Sequence, residues 1–251
     1  MRLKFILYPT LLFALNIACL PGTLFGQRQT ISLSGDWKFT KGTPPNAAAP
    51  AFDDAGWQTV RVPHDWAIAG PFAPSGAGET GKLPWQGEGW YRKTFRADAA
   101  WAGKRVYALF DGVMAFPKIY LNGRLAGEWD YGYNSFYLDL TPLLRTGAEN
   151  MLAVYADTRR HDSRWYPGAG IYRKVQLIVV DPVHVGIWGT QIRTPSPTAE
   201  RASVQVNTTV HHHGDSDALV TVQQFIRSAS GEICATYSVA CLVKTGETHV
   251  Y

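Results

Sequence analysis

The sequence has little net charge, few cysteines and, after its amino-terminal stretch, no apolar run long enough to cross a membrane. Its 251 residues carry a formal net charge of +4, of which Arg2 and Lys4 contribute two. The remaining charge is too small to indicate a nucleic acid or an anionic surface as a partner. Spanning a bilayer takes roughly 20 consecutive apolar residues, so we expect no association with a membrane.

The amino-terminal stretch predicts export. Arg2 and Lys4 precede a short apolar run, and small residues follow up to Gly26. This order of charge, short apolar run and small residues is typical of a secretory signal peptide. We therefore expect residues 1–26 to be cleaved and the protein to be periplasmic or secreted, with a lipid anchor at Cys19 as the minor alternative.

Only two cysteines follow that stretch, Cys234 and Cys241, and they lie in one strand-like run. An extended chain rises about 3.3 Å per residue, which places the two thiols beyond the reach of a disulfide. We expect two free, half-buried thiols, since a disulfide would require a hairpin between them.

Strand-like segments without intervening helices exclude a parallel α/β sheet. Apolar or alternating segments recur between turns rich in glycine, proline and asparagine, which predicts an all-β protein built from β-sandwiches. Asn122-Gly123 is the strongest turn signal, because this pair favours a two-residue hairpin. The one helical hint is Thr141-Pro142, which predicts a single turn with Thr141 as its N-cap.

The chain divides into two units near Asp181-Pro182. All nine tryptophans lie between Trp37 and Trp188, which indicates a change in composition beyond that point. Residues 182–251 offer only four or five strand segments, whereas an immunoglobulin-like sandwich has about seven. We therefore expect a first sandwich over residues 27–181 and a truncated second one over 182–251. The arm at 71–89 has no strand pattern and is long enough to suggest a binding or interface role.

Seven motifs in fixed order carry a family resemblance. They are LSGDWKF at 33–39, FDDAGW at 52–57, VPHDW at 62–66, GWYRKTF at 89–95, FDGV at 110–113, YLNG at 120–123 and GYNSF at 132–136. An eighth, SRWYPGAGIYR at 163–173, is the most specific. Together they resemble the amino-terminal sugar-binding domain of family 2 glycoside hydrolases, and the last is most similar to the β-galactosidase branch.

The resemblance implies a jelly-roll-like sandwich of the galactose-binding type, then an immunoglobulin-like sandwich, then a TIM barrel with two catalytic glutamates. A retaining glycosidase holds its two carboxyl groups about 5–5.5 Å apart, and a barrel takes roughly 250 residues. The whole chain has 251 residues and contains no Asn-Glu pair, which is the family's acid/base motif. We expect the chain to be the non-catalytic part of a secreted hydrolase of terminal β-galactosides, with no catalytic residue of its own.

The same resemblance implies where sugar is contacted. In the family an Asp just before the tryptophan motif contacts galactose. The matching residue is Asp162, with Asp157 as second choice, and the alternative is that Asp162 only orients Arg164 or caps a turn. The family's Asn on the arm has no counterpart between His64 and Trp90. The candidate substrate-binding residues are Asp162, Asp157, Arg164, Trp165, Asp65, Trp66 and Trp85, with Glu88 as an alternative to Trp85 on the arm.

Two histidine-containing segments look functional but have structural interpretations. His64 and Asp65 point to opposite faces of an extended chain, and no nucleophile is placed to complete a triad. His211, His212 and His213 suggest a metal site, yet consecutive strand residues alternate faces and cannot easily ligate one ion. We expect no metal or other cofactor in this part, since any metal ion of the enzyme would belong to the barrel.

Three interpretations of the whole chain compete. It is the front part of a glycosidase that works with a barrel, a free-standing carbohydrate-binding module without hydrolase activity, or an interaction domain whose tryptophans are only core. The unfinished second sandwich favours the first. The expected partners are a β-galactoside and the barrel, and the sequence leaves an oligomer open.

We predict that the 251-residue chain alone hydrolyses no β-galactoside, because it lacks both catalytic carboxyl groups that the resemblance implies. The measurement is the release of nitrophenol from a chromogenic β-galactoside by the purified chain. The prediction would be contradicted if the purified chain released nitrophenol and a mutation within the chain abolished that release.

Overall fold

The computed structural model describes residues 27–76, 78–160 and 163–251. The predicted signal peptide and the predicted sugar contact Asp162 lie outside these residues. The described part is nearly all β, as predicted, with three short 3-10 helices at Gly78–Thr80, Ala99–Trp101 and Thr141–Leu143. Its strands are β1 Arg28–Ser32, β2 Trp37–Lys41, β3 Gln58–Val60, β4 Glu88–Arg96, β5 Arg105–Phe110, β6 Lys118–Leu121, β7 Arg124–Glu128, β8 Phe136–Asp139, β9 Glu149–Asp157, β10 Val175–Val180, β11 Val183–Arg193, β12 Gln205–His212, β13 Ala218–Arg227, β14 Ile233–Val243 and β15 Thr248–Val250.

Two antiparallel sheets form the first sandwich. The six-stranded sheet has the order β3-β2-β4-β9-β6-β7, and the four-stranded sheet has the order β1-β10-β5-β8. Their facing sides enclose one apolar core, whose largest fully buried members include Trp37, Tyr91, Phe110 and Phe136. Phe110 and Phe136 stack with their ring centroids 5.1 Å apart. Trp66 and Trp85, two of the candidate substrate-binding residues, belong to this core. Packing in the core therefore accounts for part of the tryptophan content.

The predicted Asn-Gly hairpin is confirmed. Asn122 and Gly123 both have positive φ, at 54° and 83°, as the two central residues of the favoured hairpin turn require. The turn joins β6 to β7. Asn122 also donates from its side-chain amide to the carbonyl oxygen of Leu143, at 3.0 Å, so the turn is tied to the neighbouring 3-10 helix.

That 3-10 helix forms where a single turn was predicted, but its N-cap is Leu140 and not Thr141. The predicted cap is wrong because the Thr141 hydroxyl has another partner. It accepts a hydrogen bond from the backbone N–H of Val106 at 2.9 Å and so joins the helix to β5.

Arg92 shows how the six-stranded sheet is covered on its outer side. Its side chain is 1% exposed, and its Nε donates to Asp54 at 2.7 Å. Its Nη1 donates to the backbone carbonyl oxygens of Ala47 and Ala49, at 2.5 and 2.9 Å. A buried charge is tolerated only when it is paired and hydrogen-bonded. The guanidinium therefore fixes the proline-rich loop around Ala47 against β4.

The second unit forms a three-stranded sheet, β11-β12-β15, and a two-stranded sheet, β13-β14. Large apolar side chains on the latter are exposed, among them Leu219 at 78% and Tyr237 at 58%. Cys234 and Cys241 both lie in β14 and are free, as predicted, although Cys234 is exposed and not half-buried. The predicted division near residue 181 stays a prediction, and the strands before and after it form separate sheets.

The strands before and after residue 181 meet at the outer face of the four-stranded sheet. Tyr107, Ile178 and Val180 form a small buried cluster there, and Ile187 of β11 packs against it. Beside the cluster lies a cavity of about 220 Å³ that Arg105, Tyr107, Asp139, His184, His211 and His213 help to line. His184 is 7% exposed and donates from Nδ1 to the carbonyl oxygen of Asp181 at 2.8 Å.

The histidine run alternates as predicted. The rings of His211 and His213 face His184, with centroids 5.7 Å from its ring in each case. His212 is buried on the other side, where its Nδ1 accepts a hydrogen bond from the backbone N–H of Gly214 at 3.0 Å. Over the residues that the structure describes, no group of three or more His, Cys, Asp or Glu side chains is suited to hold a metal ion. No helix within the same residues is long and apolar enough to cross a membrane.

We predict that the free energy of unfolding falls as the pH is lowered from about 7 to about 5. Burial, assisted by the nearby His211 and His213, lowers the pKa of His184 to about 4 from its ordinary 6.5. Between these values the unfolded chain binds a proton that the folded chain does not, so acid favours unfolding. We expect a loss of about 1 kcal/mol, allowing for solvent screening at the cavity, measured by urea unfolding at both pH values.

The matched variants are His184→Gln and His249→Gln. The first removes the buried imidazole and should reduce the pH dependence, although the lowered pKa values of His64 and His213 keep part of it. The second changes a histidine of β15 that bonds Glu247 at 2.7 Å and should leave the His184 contribution in place. If the free energy of unfolding of His184→Gln depended on pH as strongly as that of the unchanged protein, His184 would not be the source of the pH dependence.

Candidate functional site

Backbone hydrogen bonds gather several loops at one end of the first sandwich. The N–H of His64 donates to the carbonyl oxygen of Ile171 at 2.7 Å, and that of Trp66 to Ala169 at 3.1 Å. Met114 and Gly170 exchange two hydrogen bonds, at 2.9 and 2.7 Å. These contacts join the loop after β3, the loop after β5 and the loop between β9 and β10. The candidate residues in the loop after β3 and in the loop between β9 and β10 therefore share one end of the fold.

Gly170 is required at this junction. Its φ is +98°, and a Cβ there would lie 2.0 Å from the Tyr91 hydroxyl oxygen. Any side chain would therefore clash with a fully buried tyrosine, whose hydroxyl also lies 2.8 Å from Nδ1 of His64. Burial lowers the pKa of His64, although the nearby Asp65 carboxylate opposes the shift. His64 thus belongs to the packing of the loop, in line with its structural interpretation.

Asp65 links two of the loops through its carboxylate. Its Oδ1 accepts from the backbone N–H of Ala67 at 3.0 Å, which shapes its own turn. Its Oδ2 accepts from the hydroxyl of Tyr166 at 2.7 Å, and Tyr166 belongs to the loop between β9 and β10. Burial, with the Asp65 hydrogen bond and charge adding to it, raises the pKa of Tyr166, so this hydroxyl stays a donor.

Trp66 and Trp85 lie inside the fold, at 7% and 5% exposure. Trp66 stacks on Phe39 at 5.8 Å between ring centroids and donates from Nε1 to the carbonyl oxygen of Trp85 at 3.1 Å. The same carbonyl accepts from the hydroxyl of Thr158 at 2.8 Å. Both tryptophans therefore support the loops from beneath, with ring faces turned to protein.

Asp157 ends β9 directly opposite Glu88, the first residue of β4. Arg159 bridges the two carboxylates: it bonds both oxygens of Asp157, at 2.8 to 3.0 Å, and Glu88 at 2.8 Å. Hydrogen bonds from Arg159 are the largest cause of the lowered pKa of Asp157. Tyr155 completes the cluster by donating its hydroxyl to Glu88. Both carboxylates of this pair are thus occupied by neighbouring side chains.

The loop between β9 and β10 brings two further candidates to the surface. Arg164 is exposed, and Trp165 is 57% exposed. Trp165 donates from Nε1 to the hydroxyl oxygen of Tyr133, at 2.8 Å, and Tyr133 lies in the loop between β7 and β8. Asp162, the first choice for a galactose contact, is outside the described residues, so its role stays a prediction.

The structure thus separates the candidates into two groups. Asp65, Trp66, Trp85 and Asp157 hold the loops together, and Arg164 and Trp165 face solvent. Sequence reasoning missed Arg159, Tyr166 and Tyr133, the partners that fix these groups. Their signal is weak in the sequence: Tyr133 and Tyr166 lie inside the recognised motifs, but no spacing rule pairs residues 32 or 101 positions apart. The arrangement offers aromatic faces and hydrogen-bonding groups, which suits recognition of a polyhydroxylated ligand.

Known proteins match this chain in sequence and in structure. A family model described as "Glycosyl hydrolases family 2, sugar binding domain" matches residues 30–181. The chain is 42% identical over 226 residues to beta-galactosidase BoGH2A of Bacteroides ovatus, covering 88% of this chain and 26% of that protein. It is 33% identical over 214 residues to a putative beta-glucuronidase of Formosa agariphila, covering 84% of this chain and 20% of that protein.

Among solved structures, a glycosyl hydrolase family 2 member from Bacteroides cellulosilyticus superposes with a TM-score of 0.81 at 33% identity. The match covers 88% of this chain and 30% of that one. The chain therefore spans about a quarter of the length of the curated relatives it matches.

We predict that Asp65 and Tyr166 are energetically coupled, because their hydrogen bond joins two loops. In a double-mutant cycle of Asp65→Ala and Tyr166→Phe, we expect a coupling free energy of about 1–2 kcal/mol. Chemical denaturation of the four proteins measures it. Asp53→Ala is the matched control, since Asp53 caps its turn through the N–H of Ala55 in the same way and should combine additively with Tyr166→Phe. Additivity in the Asp65 cycle as well would disprove the link.

Proposed function

Because the chain belongs to glycosyl hydrolase family 2, we propose that it is the sugar-contacting, non-catalytic front part of a retaining β-galactosidase. The proposed enzyme removes terminal β-galactosyl units, with both catalytic carboxyl groups in a domain outside these residues. The relatives are about four times as long as the matched segment, which leaves room for a barrel of roughly 250 residues. We further propose that the protein is exported, on the charge and apolar pattern of residues 1–26.

The observation that carries the proposal is the loop end of the first sandwich. Backbone hydrogen bonds gather the loop that carries Asp65 and Trp66 against the loop that carries Arg164 and Trp165. The carboxylates there are held by Tyr166 and Arg159, which supports recognition more than proton transfer. The choice of a galactoside rests on the 42% identity to a β-galactosidase.

Residue roles follow from the contacts. Asp162, Arg164 and Trp165 are proposed to touch the substrate, with Asp162 accepting hydrogen bonds from two hydroxyls of the terminal galactosyl unit, as a carboxylate does well. Asp157 is proposed as a positioning residue, because Arg159 already occupies its oxygens. The tie between Asp65 and Tyr166 then keeps the loop that carries Trp165 in place.

A β-glucuronidase is the second candidate. It is favoured by the 33% identity to a putative β-glucuronidase and by the arginine-rich sequence of the loop that follows β9, which includes Arg159, Arg160 and Arg164. An arginine can bind the carboxylate of a glucuronide in a bidentate manner. Arg159 is engaged with Asp157 and Glu88, so the exposed Arg160 and Arg164 are the guanidinium groups of this loop best suited to that role.

We predict that Asp162→Asn in the full-length enzyme lowers kcat/KM for a chromogenic β-galactoside by roughly ten- to a hundred-fold, while Tm changes little. The amide replaces one acceptor with a donor, and losing a charged hydrogen bond costs about 1.5–3 kcal/mol. Steady-state kinetics and thermal unfolding of one preparation measure both quantities.

Asp157→Asn is the matched comparison. It should lower Tm, because it weakens the bridge from Arg159. The unmodified enzyme should prefer the β-galactoside to the corresponding β-glucuronide, and the opposite preference would favour the second candidate. No activity on either substrate would sink the proposed function. A lower Tm with unchanged kcat/KM in Asp162→Asn would make that residue structural.

A further inference from the structure

Three neighbouring aromatic rings lie at the loop end and are here named the aromatic platform: exposed Tyr131 and Trp165, with half-buried Tyr133 between them. Tyr131 is 59% exposed and Trp165 is 57% exposed. The ring centroids of Tyr131 and Tyr133 lie 5.6 Å apart, and those of Tyr133 and Trp165 lie 6.3 Å apart. Large aromatic side chains are normally buried, and a cluster left open to solvent marks an interaction site.

The platform is held in a fixed geometry. The hydrogen bond from Nε1 of Trp165 to the Tyr133 hydroxyl oxygen sets the indole orientation. The backbone beneath is anchored as well, because the Tyr172 hydroxyl donates to the carbonyl oxygen of Gly132 at 2.8 Å. A Cβ on Gly132 would lie 2.6 Å from the sulfur of Met114, so the loop is pressed onto the core. Binding to such a preorganised surface costs little ordering entropy.

The chemistry of the surroundings favours a saccharide over a protein. The loop at 129–135 reads WDYGYNS and the segment at 163–168 reads SRWYPG, so neither contains alanine, valine, leucine, isoleucine or methionine. Exposed Asp130, Asn134 and Arg164 lie among the rings in sequence. Ring faces interspersed with hydrogen-bonding groups match a sugar, which presents an apolar face and a rim of hydroxyls. The exposed apolar surface on β13 and β14, in contrast, includes aliphatic Leu219 and Leu242.

We propose that the aromatic platform binds a sugar ring of an oligosaccharide other than its terminal unit. The inference rests on the proposed function, and it extends that function to substrates longer than a simple galactoside. A pocket that encloses a ligand buries most of its surface, whereas the rings of Tyr131 and Trp165 are more than half exposed. An open platform suits an internal sugar unit, which is linked to further units of the saccharide on both sides.

The test is calorimetric titration of the 251-residue chain with β-1,4-galactotetraose, with galactose as the comparison. We expect the tetrasaccharide to bind measurably more tightly than galactose. Trp165→Ala should weaken tetrasaccharide binding by about tenfold, which is the usual scale of a lost aromatic contact. Tyr131→Ala should weaken binding without touching the Trp165 hydrogen bond. Tyr133→Phe keeps the ring and removes the hydroxyl, so it should weaken binding only a few-fold.

Trp188→Ala is the matched control. Trp188 is 58% exposed but lies on β11 against Tyr137, at 5.0 Å between ring centroids, so its loss should leave the Kd unchanged. If Trp165→Ala is unstable, Tyr131→Ala replaces it as the test variant. An unchanged melting curve of Tyr131→Ala would then show that its weaker binding does not result from misfolding.

Three results would overturn the proposal. The first is that the chain does not bind the tetrasaccharide. The second is that Trp165→Ala and Trp188→Ala change the Kd equally. The third is that Trp165→Ala leaves saccharide binding intact but abolishes association with the catalytic part. The last would assign the platform to a protein contact. None of them contradicts the proposed function, which depends on hydrolysis by the full-length enzyme and is measured separately.

Discussion

The pairing of β4 with β9 is the constraint on which the rest of the site depends. Nine consecutive residue pairs, from Glu88 opposite Asp157 to Arg96 opposite Glu149, fix the centre of the six-stranded sheet. This register places two carboxylates side by side at the end where the loops gather, and like charges directly opposite each other are destabilising. Arg159 offsets the repulsion by bonding both. Arg159 lies at the start of the loop between β9 and β10. Its guanidinium group is held by the two carboxylates that the sheet places side by side.

From that point the loop is tied down at successive positions. Thr158 bonds the carbonyl oxygens of Trp85 and Gly87, Tyr166 bonds Asp65, and Gly170 pairs with Met114. What remains exposed is a short stretch that includes Trp165. The hydrogen bonds of Thr158, Tyr166 and Gly170 thus hold the loop, so that the exposed Trp165 has a defined position. This arrangement suits the proposed function, in which the chain recognises the substrate and another domain cleaves the bond, since a recognition surface needs rigid geometry and no reactive carboxyl pair.

The sequence predicted the fold class, the Asn-Gly hairpin and the alternation of His211 to His213, because each depends on local periodicity or turn chemistry. The ordered motifs also identified the family correctly. The sequence did not reveal that Arg159 bridges Asp157 and Glu88, since the two carboxylates are placed side by side only by the register of β4 and β9. Arg92 is a similar case: alternation places it on the outer face of the sheet, but only the packing of the proline-rich loop makes it buried. Long-range pairs of polar side chains follow from the tertiary fold and leave no mark in local sequence.

The central claim is that the loop end of the first sandwich is a saccharide-binding face. The most direct measurement is a heteronuclear NMR titration that follows the indole N–H signals of the nine tryptophans as a galacto-oligosaccharide is added. The account predicts that the Trp165 signal shifts with saturation, that those of the buried Trp66 and Trp85 shift less, and that those of Trp37 and Trp188 stay in place. Shifts centred on Trp188, or none at Trp165 while other tryptophans respond, would contradict it.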